Sequence, residues 1–317
     1  MNKVTVFIDG AEGTTGLRLA DRLRDRDDVE LIAIAPELRK DAGEKARLSN
    51  LADIVFLCLP DAAARESAAA ITNPATKIID ASTAHRIADG WVYGFPELSA
   101  SHREALRTAT RVGNPGCYAT GFISLVYPLI AGGIASPDYP FTCHAISGYS
   151  GAGKGMIAKY EDPERAAYYA SPRQYALGQA HKHLPEMRVI AGLHHPPLFN
   201  PIIADIYAGM VVTVPLLTRH LSRKVTPEEL HAHFAAHYQG QRAVKVMPFG
   251  AQDANEGAMI DANGIDGRDI LEIYVCGNPD QMVLLARLDN LGKGASGAAI
   301  QCMNIMCGFD EMKGLNE

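Results

Sequence analysis

The first third of the chain alternates continuous apolar runs with helical segments, and no other feature of the sequence constrains the fold as strongly. Apolar runs without polar alternation are typical of strands buried on both faces, which occur in parallel sheets covered by helices. The runs are VTVFID at 4–9, LIAIA at 31–35, IVFLCLP at 54–60 and KIIDAS at 77–82, with helices predicted at about 14–24 and 62–70. We therefore predict a doubly wound α/β domain.

The pattern changes from about Cys143 to longer strands, several of which alternate polar and apolar residues. These strands are predicted at 210–216, 244–248, 270–277 and 282–290. Alternation is typical of antiparallel sheets that have one covered face. A helix is marked between them, because Thr226 can cap it, Pro227 suits its first turn and Glu229 completes a capping box. The second domain is therefore predicted to be α+β with a mostly antiparallel sheet.

The last segment, residues 293–308, combines closely spaced small residues with apolar ones and predicts a helix that returns to the first domain. This organisation places the domain boundaries at 1–116 with 291–317 for the first domain and at 117–290 for the second. A length of 317 residues, 47% of them hydrophobic, fits two globular domains.

Composition argues against several other classes of protein. The chain has 30 basic and 36 acidic residues, a formal charge of -6, and no Lys/Arg-rich run that would indicate a nucleic-acid partner. The apolar run at the N-terminus ends too early for a signal peptide, and no stretch of about 18 apolar residues predicts a membrane span. Six scattered cysteines without CxxC pairs are typical of reduced thiols, so we expect a cytoplasmic protein.

A glycine-rich loop follows the first predicted strand and opens the first predicted helix. Its glycines are Gly10, Gly13 and Gly16, and Thr14 and Thr15 lie between the last two. Glycines let a backbone approach a pyrophosphate closely, and the helix N-terminus stabilises its negative charge. The position predicts a Rossmann-like dinucleotide-binding domain, although the spacing departs from G-x-G-x-x-G and a tight turn without ligand is the alternative.

The end of the second predicted strand bears on the choice between NAD and NADP. An NAD enzyme usually places an acid there to bind the ribose hydroxyls and to repel a 2′-phosphate. The predicted strand ends at Ala35 without an acid, and Arg39 and Lys40 follow as cations that suit a phosphate. The sequence therefore predicts NADP, unless a shifted strand end brings Glu37 to the ribose.

Cys117 is the cysteine in the setting of a nucleophile. Pro115 and Gly116 end a strand, and a helix-like run follows, so the thiol falls in the first turn of a helix. Unpaired N–H groups at a helix start stabilise a thiolate and lower the pKa of a cysteine. From these residues alone a buried, unreactive thiol is an equal alternative.

The segment GNPGCYATG around Cys117 resembles the active-site signature of the N-acetyl-gamma-glutamyl-phosphate reductases, a family related to the aspartate-semialdehyde dehydrogenases. Further segments resemble that family in the same order along nearly the whole chain, and the short length resembles its compact branch. They are the glycine loop, DASTAHR at 80–86, YGFPEL at 93–98, SGYSGAGK at 147–154, HKHLPE at 181–186 and DNLGKG at 289–294.

The resemblance implies an NADPH-dependent reduction of an acyl phosphate through a thioester on Cys117, by a homo-oligomer of the arginine pathway. It implies a catalytic cluster of Tyr175, His181, His183 and Glu186, with one of the two histidines as acid and base. It also implies that Asn290 contacts the cofactor. The substrate contacts that it implies are Ser82, Arg86, Asn114, Ser147, Ser150 and Lys154.

Other functions fit the sequence less well. Residues 148–154 satisfy G-x-x-x-x-G-K, but Gly155 replaces the hydroxyl residue of a nucleotide-hydrolase loop and no strong helical pattern follows. The histidines at 181, 183, 194 and 195 lack the spacing signature of a zinc site, and His231, His233 and His237 are expected on a solvated helix face. Aspartate-semialdehyde dehydrogenase is the alternative enzyme, and a cysteine hydrolase or a non-catalytic dinucleotide sensor is the alternative from another class.

Overall fold

The computed structural model describes residues 3–254 and 256–317, and the chain divides into two compact units. The first unit comprises the chain up to Pro115 together with Ala295–Leu315, and the second comprises Gly116–Gly294 with the last two residues. In the part of the chain that is described, no helix is long and apolar enough to cross a bilayer.

The first unit is built on a parallel sheet, as the apolar runs predict. Its six described strands lie in the order β2-β1-β3-β4-β6-β5, and each recorded pair is parallel. The strands are β1 (Val4–Asp9), β2 (Val29–Ile32), β3 (Ile54–Leu57), β4 (Lys77–Asp80), β5 (Val92–Tyr93) and β6 (Arg111–Gly113). The helices between them are α1 (Thr14–Arg24), α2 (Ala42–Leu51), α3 (Asp61–Ala70) and α4 (Ala100–Thr108), with 3-10 turns at Pro36–Leu38 and Pro96–Leu98.

Both faces of this sheet are covered, because neighbouring residues of one strand enter different apolar clusters. Val6 and Ile8 of β1 pack into one cluster, and Phe7 between them packs into the other. Burial of each such side chain stabilises the fold by about 1.5–3 kcal/mol. The doubly wound α/β architecture is thereby confirmed.

The second strand differs from its prediction. It covers Val29–Ile32, because these residues pair with Val4–Phe7 of β1, and the chain has left the sheet before Ala35. The predicted strand at 31–35 was therefore placed too late. Glu37 lies in the 3-10 turn Pro36–Leu38 that follows.

The second unit contains a mixed, mostly antiparallel sheet, as predicted. Its seven described strands lie in the order β11-β12-β13-β10-β7-β9-β8, with parallel pairing only for β11 with β12 and for β7 with β9. The helices are α5 (Cys117–Ala131), α6 (Lys154–Glu161), α7 (Leu184–Ile190) and α8 (Pro227–His237). The strands are β7 (Thr142–Gly148), β8 (Arg173–Gln174), β9 (Leu198–Ala204), β10 (Met210–Leu217), β11 (Val244–Val246), β12 (Leu271–Gly277) and β13 (Gln281–Leu288). Short helical turns lie at Tyr149–Ala152, Ala167–Ala170, Thr218–His220, Ala251–Ala254 and Glu256–Ala258.

The predicted C-terminal helix is present. A π turn at Gly292–Ser296 leads into α9 (Gly297–Cys307), which ends at Gly308 in the left-handed conformation. Ile300 and Met303 of α9 belong to the same apolar cluster as Val6 and Ile8 of the first unit.

Helix α5 contains a proline whose effect on the backbone is compensated by α8. Pro128 has no N–H, so the carbonyl of Ser124, four residues earlier, lacks its helical donor. The hydroxyl of Tyr238 donates to that carbonyl at 2.7 Å, and Nε2 of His233 donates to the carbonyl of Pro128 at 2.9 Å. These two contacts hold the helix that begins at Cys117.

The capping box of α8 is confirmed, since the Thr226 hydroxyl accepts from the Glu229 N–H and the Glu229 carboxylate accepts from the Thr226 N–H. The expectation that the α8 histidines form a solvated face is wrong. His231 donates to the carbonyl of Met247, and the ring of His237 packs against Tyr127.

Candidate active site

Cys117 is the first residue of α5, as predicted. Gly116 before it is extended, with φ -80° and ψ 147°, and its carbonyl accepts the N–H of Thr120 at 2.7 Å. No side chain caps this helix start, so its first N–H groups and dipole favour negative charge on the half-buried thiol. A Cβ atom at Gly294 would lie 2.8 Å from Cβ of Cys117, so only glycine fits beside the cysteine.

Glu186 contacts the turn that carries the cysteine. Its Oε2 atom accepts the N–H of Gly116 at 3.2 Å, and its side chain is buried. The carboxylate lies in the first turn of α7, where the helix dipole stabilises its charge. The residue therefore joins the start of α7 to the start of α5.

The aromatic ring of Tyr118 lies next to both histidines of the expected cluster. The ring centroid of Tyr118 lies 5.7 Å from that of His181 and 5.9 Å from that of His183, and the two imidazoles are 4.7 Å apart. Nδ1 of His181 accepts the backbone N–H of His183 at 3.1 Å. Neutral His181 therefore carries its ring proton on Nε2.

The hydroxyl group of Tyr118 accepts a hydrogen bond from a second tyrosine. The Tyr175 hydroxyl donates to the Tyr118 hydroxyl at 2.8 Å, and the Ser147 hydroxyl donates to the carbonyl of Gly148. Burial raises the pKa of Tyr118 well above its usual value, and burial also raises the pKa of Tyr175. Both phenols are therefore neutral hydrogen-bonding groups at neutral pH.

The other residues expected to contact the substrate lie near the end of β7. Ser150 is buried, and its hydroxyl accepts from Nδ2 of Asn290 at 3.0 Å. Oδ1 of Asn290 accepts the N–H of Gly209 at 2.9 Å, so both ends of this amide are engaged within the second unit. Lys154 is exposed and begins α6, which is the helix that was not expected after the glycine-rich segment.

The glycine loop of the first unit has the geometry that a dinucleotide site needs. Gly10 has φ 88°, and a Cβ atom there would lie 2.4 Å from the carbonyl oxygen of Cys58. A Cβ atom at Gly16 would lie 2.4 Å from the Gly10 carbonyl oxygen, so the fold itself requires both glycines. A Cβ atom at Gly13 would meet nothing closer than 3.5 Å, and the Thr14 hydroxyl is buried without a hydrogen-bond partner in the part of the chain that the structure describes. The open space at Gly13 and the polar atom beside it fit a bound pyrophosphate.

Arg39 and Lys40 lie beyond β2, and both are exposed. The guanidinium of Arg39 forms an ion pair with Glu12 of the glycine loop. The structure therefore brings one of the two expected cations to the loop.

Ser82, Arg86 and Asn114 are brought together where β4 and β6 end. Asp80 is fully buried and accepts from the N–H and the hydroxyl of Ser82 at 2.9 and 2.7 Å. Nε of Arg86 donates to the carbonyl of Asn114 at 2.9 Å, and the N–H of Asn114 donates to the carbonyl of Asp80.

His85 completes this loop and was not assigned from the sequence. Its Nδ1 lies 2.6 Å from Oδ2 of Asp80, and its ring stacks on Trp91 with centroids 4.0 Å apart. Tyr118 and Gly294 were missed as well. Both lie inside the motifs that carry the family resemblance, and the position of Tyr118 directly after Cys117 was the available signal.

Two family models match the chain. Residues 40–108 match the NAD binding domain of semialdehyde dehydrogenases, and residues 117–290 match their dimerisation domain. The solved structure of aspartate semialdehyde dehydrogenase II from Vibrio cholerae is similar with a TM-score of 0.73 at 14% identity, over 97% of this chain and 99% of that one. The enzyme from Francisella tularensis is similar with a TM-score of 0.70 at 14% identity, over 96% and 100%. At such identities the likeness shows the fold.

Curated relatives are much more similar in sequence. N-acetyl-gamma-glutamyl-phosphate reductase 2 of Nostoc sp. is 48% identical over 99% of this chain and 100% of its own length. The reductase of Burkholderia cenocepacia is 47% identical over 97% and 98%, and reductase 2 of Pseudomonas putida is 44% identical over the same shares.

Proposed function

This chain belongs to the N-acetyl-gamma-glutamyl-phosphate reductases, within the semialdehyde dehydrogenase family, and we propose that it catalyses their reaction in arginine biosynthesis. In that reaction N-acetyl-L-glutamyl 5-phosphate and NADPH give N-acetyl-L-glutamate 5-semialdehyde, NADP and phosphate. The observation that carries the proposal is Cys117 at the start of α5, in the turn that Glu186 holds.

Cys117 forms the covalent intermediate. Its thiolate attacks the acyl carbon, the bond from that carbon to the phosphate oxygen breaks, and a thioester remains. Reduced cofactor held at Gly10, Gly13 and Thr14 would supply hydride to the thioester carbon. The C–S bond of the resulting thiohemiacetal anion then breaks, which releases the aldehyde and restores the thiolate.

The two histidines have different roles in this proposal. His181 holds its proton on Nε2, because its Nδ1 accepts a backbone N–H, and it donates a hydrogen bond to oxygen atoms that become negative. His183 is the acid and base that transfers a proton to the departing phosphate. Tyr175 acts through Tyr118, since its own hydroxyl proton is already donated to that residue.

Ser82, Arg86 and Asn114 in the first unit, and Ser147, Ser150 and Lys154 in the second, are proposed to contact the ligands. Asn290 acts as a positioning residue for Ser150, because its amide nitrogen holds the Ser150 hydroxyl and its amide oxygen holds Gly209.

We propose NADP as the cofactor, bound at Gly10, Gly13, Thr14, Thr15 and Gly16. Arg39 is already beside the loop, and Lys40 adds a second cation after β2. A guanidinium can bind a 2′-phosphate through two parallel hydrogen bonds.

We propose a homo-oligomer that pairs through the second unit, whose residues match the family's dimerisation domain. One face of its sheet carries half-buried or exposed apolar side chains on β7, β9 and β13. They are Ile146, Leu198, Ile202, Val283 and Leu285, and we call this surface the open sheet face.

An assay in the reverse direction tests the function. NADP reduction is followed with N-acetyl-glutamate semialdehyde and phosphate, and aspartate semialdehyde with phosphate is the control. We expect turnover with the acetylated substrate to exceed turnover with the control at least a hundredfold. Equal or faster turnover of aspartate semialdehyde would reject the proposal.

A further inference from the structure

The amide of Asn114 contains a buried acceptor that no described group of the protein satisfies. Asn114 is only 1% exposed, and its Oδ1 atom has no hydrogen-bond partner among residues 3–254 and 256–317. Its Nδ2 atom donates to the carbonyl of Ala295 at 3.0 Å. Because a carbonyl can only accept, this contact fixes which end of the amide is the nitrogen and leaves the oxygen as the unsatisfied end.

Leaving a buried acceptor unsatisfied is unfavourable, by about 1–3 kcal/mol. The missing partner must be an N–H or O–H donor. A phosphate dianion has no hydrogen to donate, so Oδ1 is unsuited to the phosphate group of the substrate.

The place of Asn114 in the sheet indicates which donor it meets. Asn114 follows β6, and the strand order β2-β1-β3-β4-β6 puts it on the opposite side of the glycine loop from β2. Ligands of open parallel sheets bind at the carboxyl ends of the strands. If the pyrophosphate binds at the loop after β1 and the 2′-phosphate at Arg39 after β2, the nicotinamide half would extend toward β3, β4 and β6.

We propose that Oδ1 of Asn114 accepts a hydrogen bond from the carboxamide N–H of the bound nicotinamide. This inference rests on the proposed function, because it takes the glycine loop as the cofactor site. Asn114 is then a cofactor contact that fixes the rotation of the nicotinamide ring, in place of the substrate contact that the family resemblance implied.

The test compares three ligands by calorimetry. NADP carries the carboxamide, its 3-acetylpyridine analogue keeps the carbonyl oxygen but has no N–H, and 2′,5′-ADP lacks the nicotinamide altogether. Wild type should bind NADP about tenfold more tightly than the analogue, the ratio that one net hydrogen bond supports. Asn114→Ala should bind NADP and the analogue equally, with its affinity for 2′,5′-ADP unchanged.

Asn73→Ala is the matched control, since it also removes an amide from the first unit but lies before β4, and it should behave like wild type. If Asn114→Ala misfolds and therefore loses 2′,5′-ADP binding, two other measurements test the inference. They are the ratio of NADP affinity to analogue affinity in Asn114→Ser and the same ratio in wild type. The inference is overturned if wild type binds NADP no more tightly than the analogue, or if Asn114→Ala keeps the preference for NADP. The donor to Oδ1 would then be the acetamido N–H of the substrate or a water.

The failure of the proposed function gives a different result. If all three ligands bind with the expected preference but the acyl phosphate is not turned over, the proposed reductase function is rejected. The inference that Asn114 binds the carboxamide is then retained. If NAD is preferred over NADP, the same comparison with NAD, its acetylpyridine analogue and ADP tests Asn114 unchanged.

Discussion

At the scale of single residues, Cys117 carries the proposed chemistry. Cys117→Ser keeps the size of the side chain but replaces the thiolate with a hydroxyl that is a far weaker nucleophile. We expect turnover to fall by about a thousandfold or more, with cofactor affinity unchanged. Steady-state kinetics and calorimetry check both parts, and a variant that retains a tenth of the wild-type rate would contradict the thioester.

The other cysteines predict a selective alkylation. Burial raises the pKa of Cys58 to about 12, with Asp80 and Asp9 adding to the shift, and burial also raises the pKa of Cys143, Cys276 and Cys307. Near pH 8 these thiols are protonated and react slowly with iodoacetamide. We expect Cys117 to be modified first, and peptide mapping that finds Cys58 or Cys276 ahead of it would contradict this order.

Cys117 could be predicted from the sequence because the residues next to it are sufficient. Pro115 and Gly116 end a strand directly before a helix. The contact between Tyr118 and Tyr175 could not be predicted in the same way. Tyr118 lies in α5 and Tyr175 in the segment after β8, and only the tertiary fold brings their hydroxyl groups together. The partners of Asn290 depend on tertiary packing for the same reason.

At the scale of elements, the glycine loop contains one glycine that the fold requires and one that faces the proposed ligand. Gly13→Ala introduces a methyl group that meets no protein atom closer than 3.5 Å, so the fold should be retained. The methyl would occupy the space proposed for the pyrophosphate, and we expect NADP affinity to fall at least tenfold. Gly16→Ala is the contrasting variant, since its methyl would lie 2.4 Å from a carbonyl oxygen and should lower the melting temperature by several degrees. Equal effects of the two variants on melting temperature would refute the distinction.

The segment after β2 predicts the cofactor preference. Arg39→Ala should lower kcat/KM for NADPH about tenfold and leave that for NADH unchanged, because only NADPH carries the 2′-phosphate. Arg47→Ala is a suitable control, since it removes a comparable exposed ion pair from α2. Wild-type kcat/KM for NADH that equals or exceeds the value for NADPH refutes the assignment.

The elements themselves were predictable where periodicity and capping are local. The α1 helix begins at Thr14, inside the glycine-rich segment, and α8 has the capping box that its sequence indicates. The limits of β2 were not predictable, because LIAIA is apolar throughout and only its register with β1 decides which residues pair. The helix α6 escaped prediction because Lys154–Glu161 has little apolar periodicity.

At the scale of the whole molecule, the open sheet face predicts self-association. Ile202→Arg and Leu285→Arg would place charges among apolar residues of β9 and β13, and burying an unpaired charge in an interface is costly. We expect wild type to sediment as a dimer or larger oligomer and the double variant to shift toward the monomer. Leu51→Arg, on an exposed residue of α2, is the control and should leave the oligomer intact. A monomeric wild type, or a double variant that still associates, would contradict this surface.

Pro128 has a consequence for how firmly the nucleophile is held. An uninterrupted helix satisfies its own carbonyls and can slide or rotate against its neighbours while keeping those bonds. In α5 the carbonyl of Ser124 depends on the hydroxyl of Tyr238, and His233 adds a second donor to the carbonyl of Pro128, which also accepts the N–H of Gly132. Axial movement would therefore break contacts to α8 and to the residue that follows it. The contacts around the proline thus restrict movement of α5 along its axis. The thiol at the start of the helix is therefore held in place when phosphate departs.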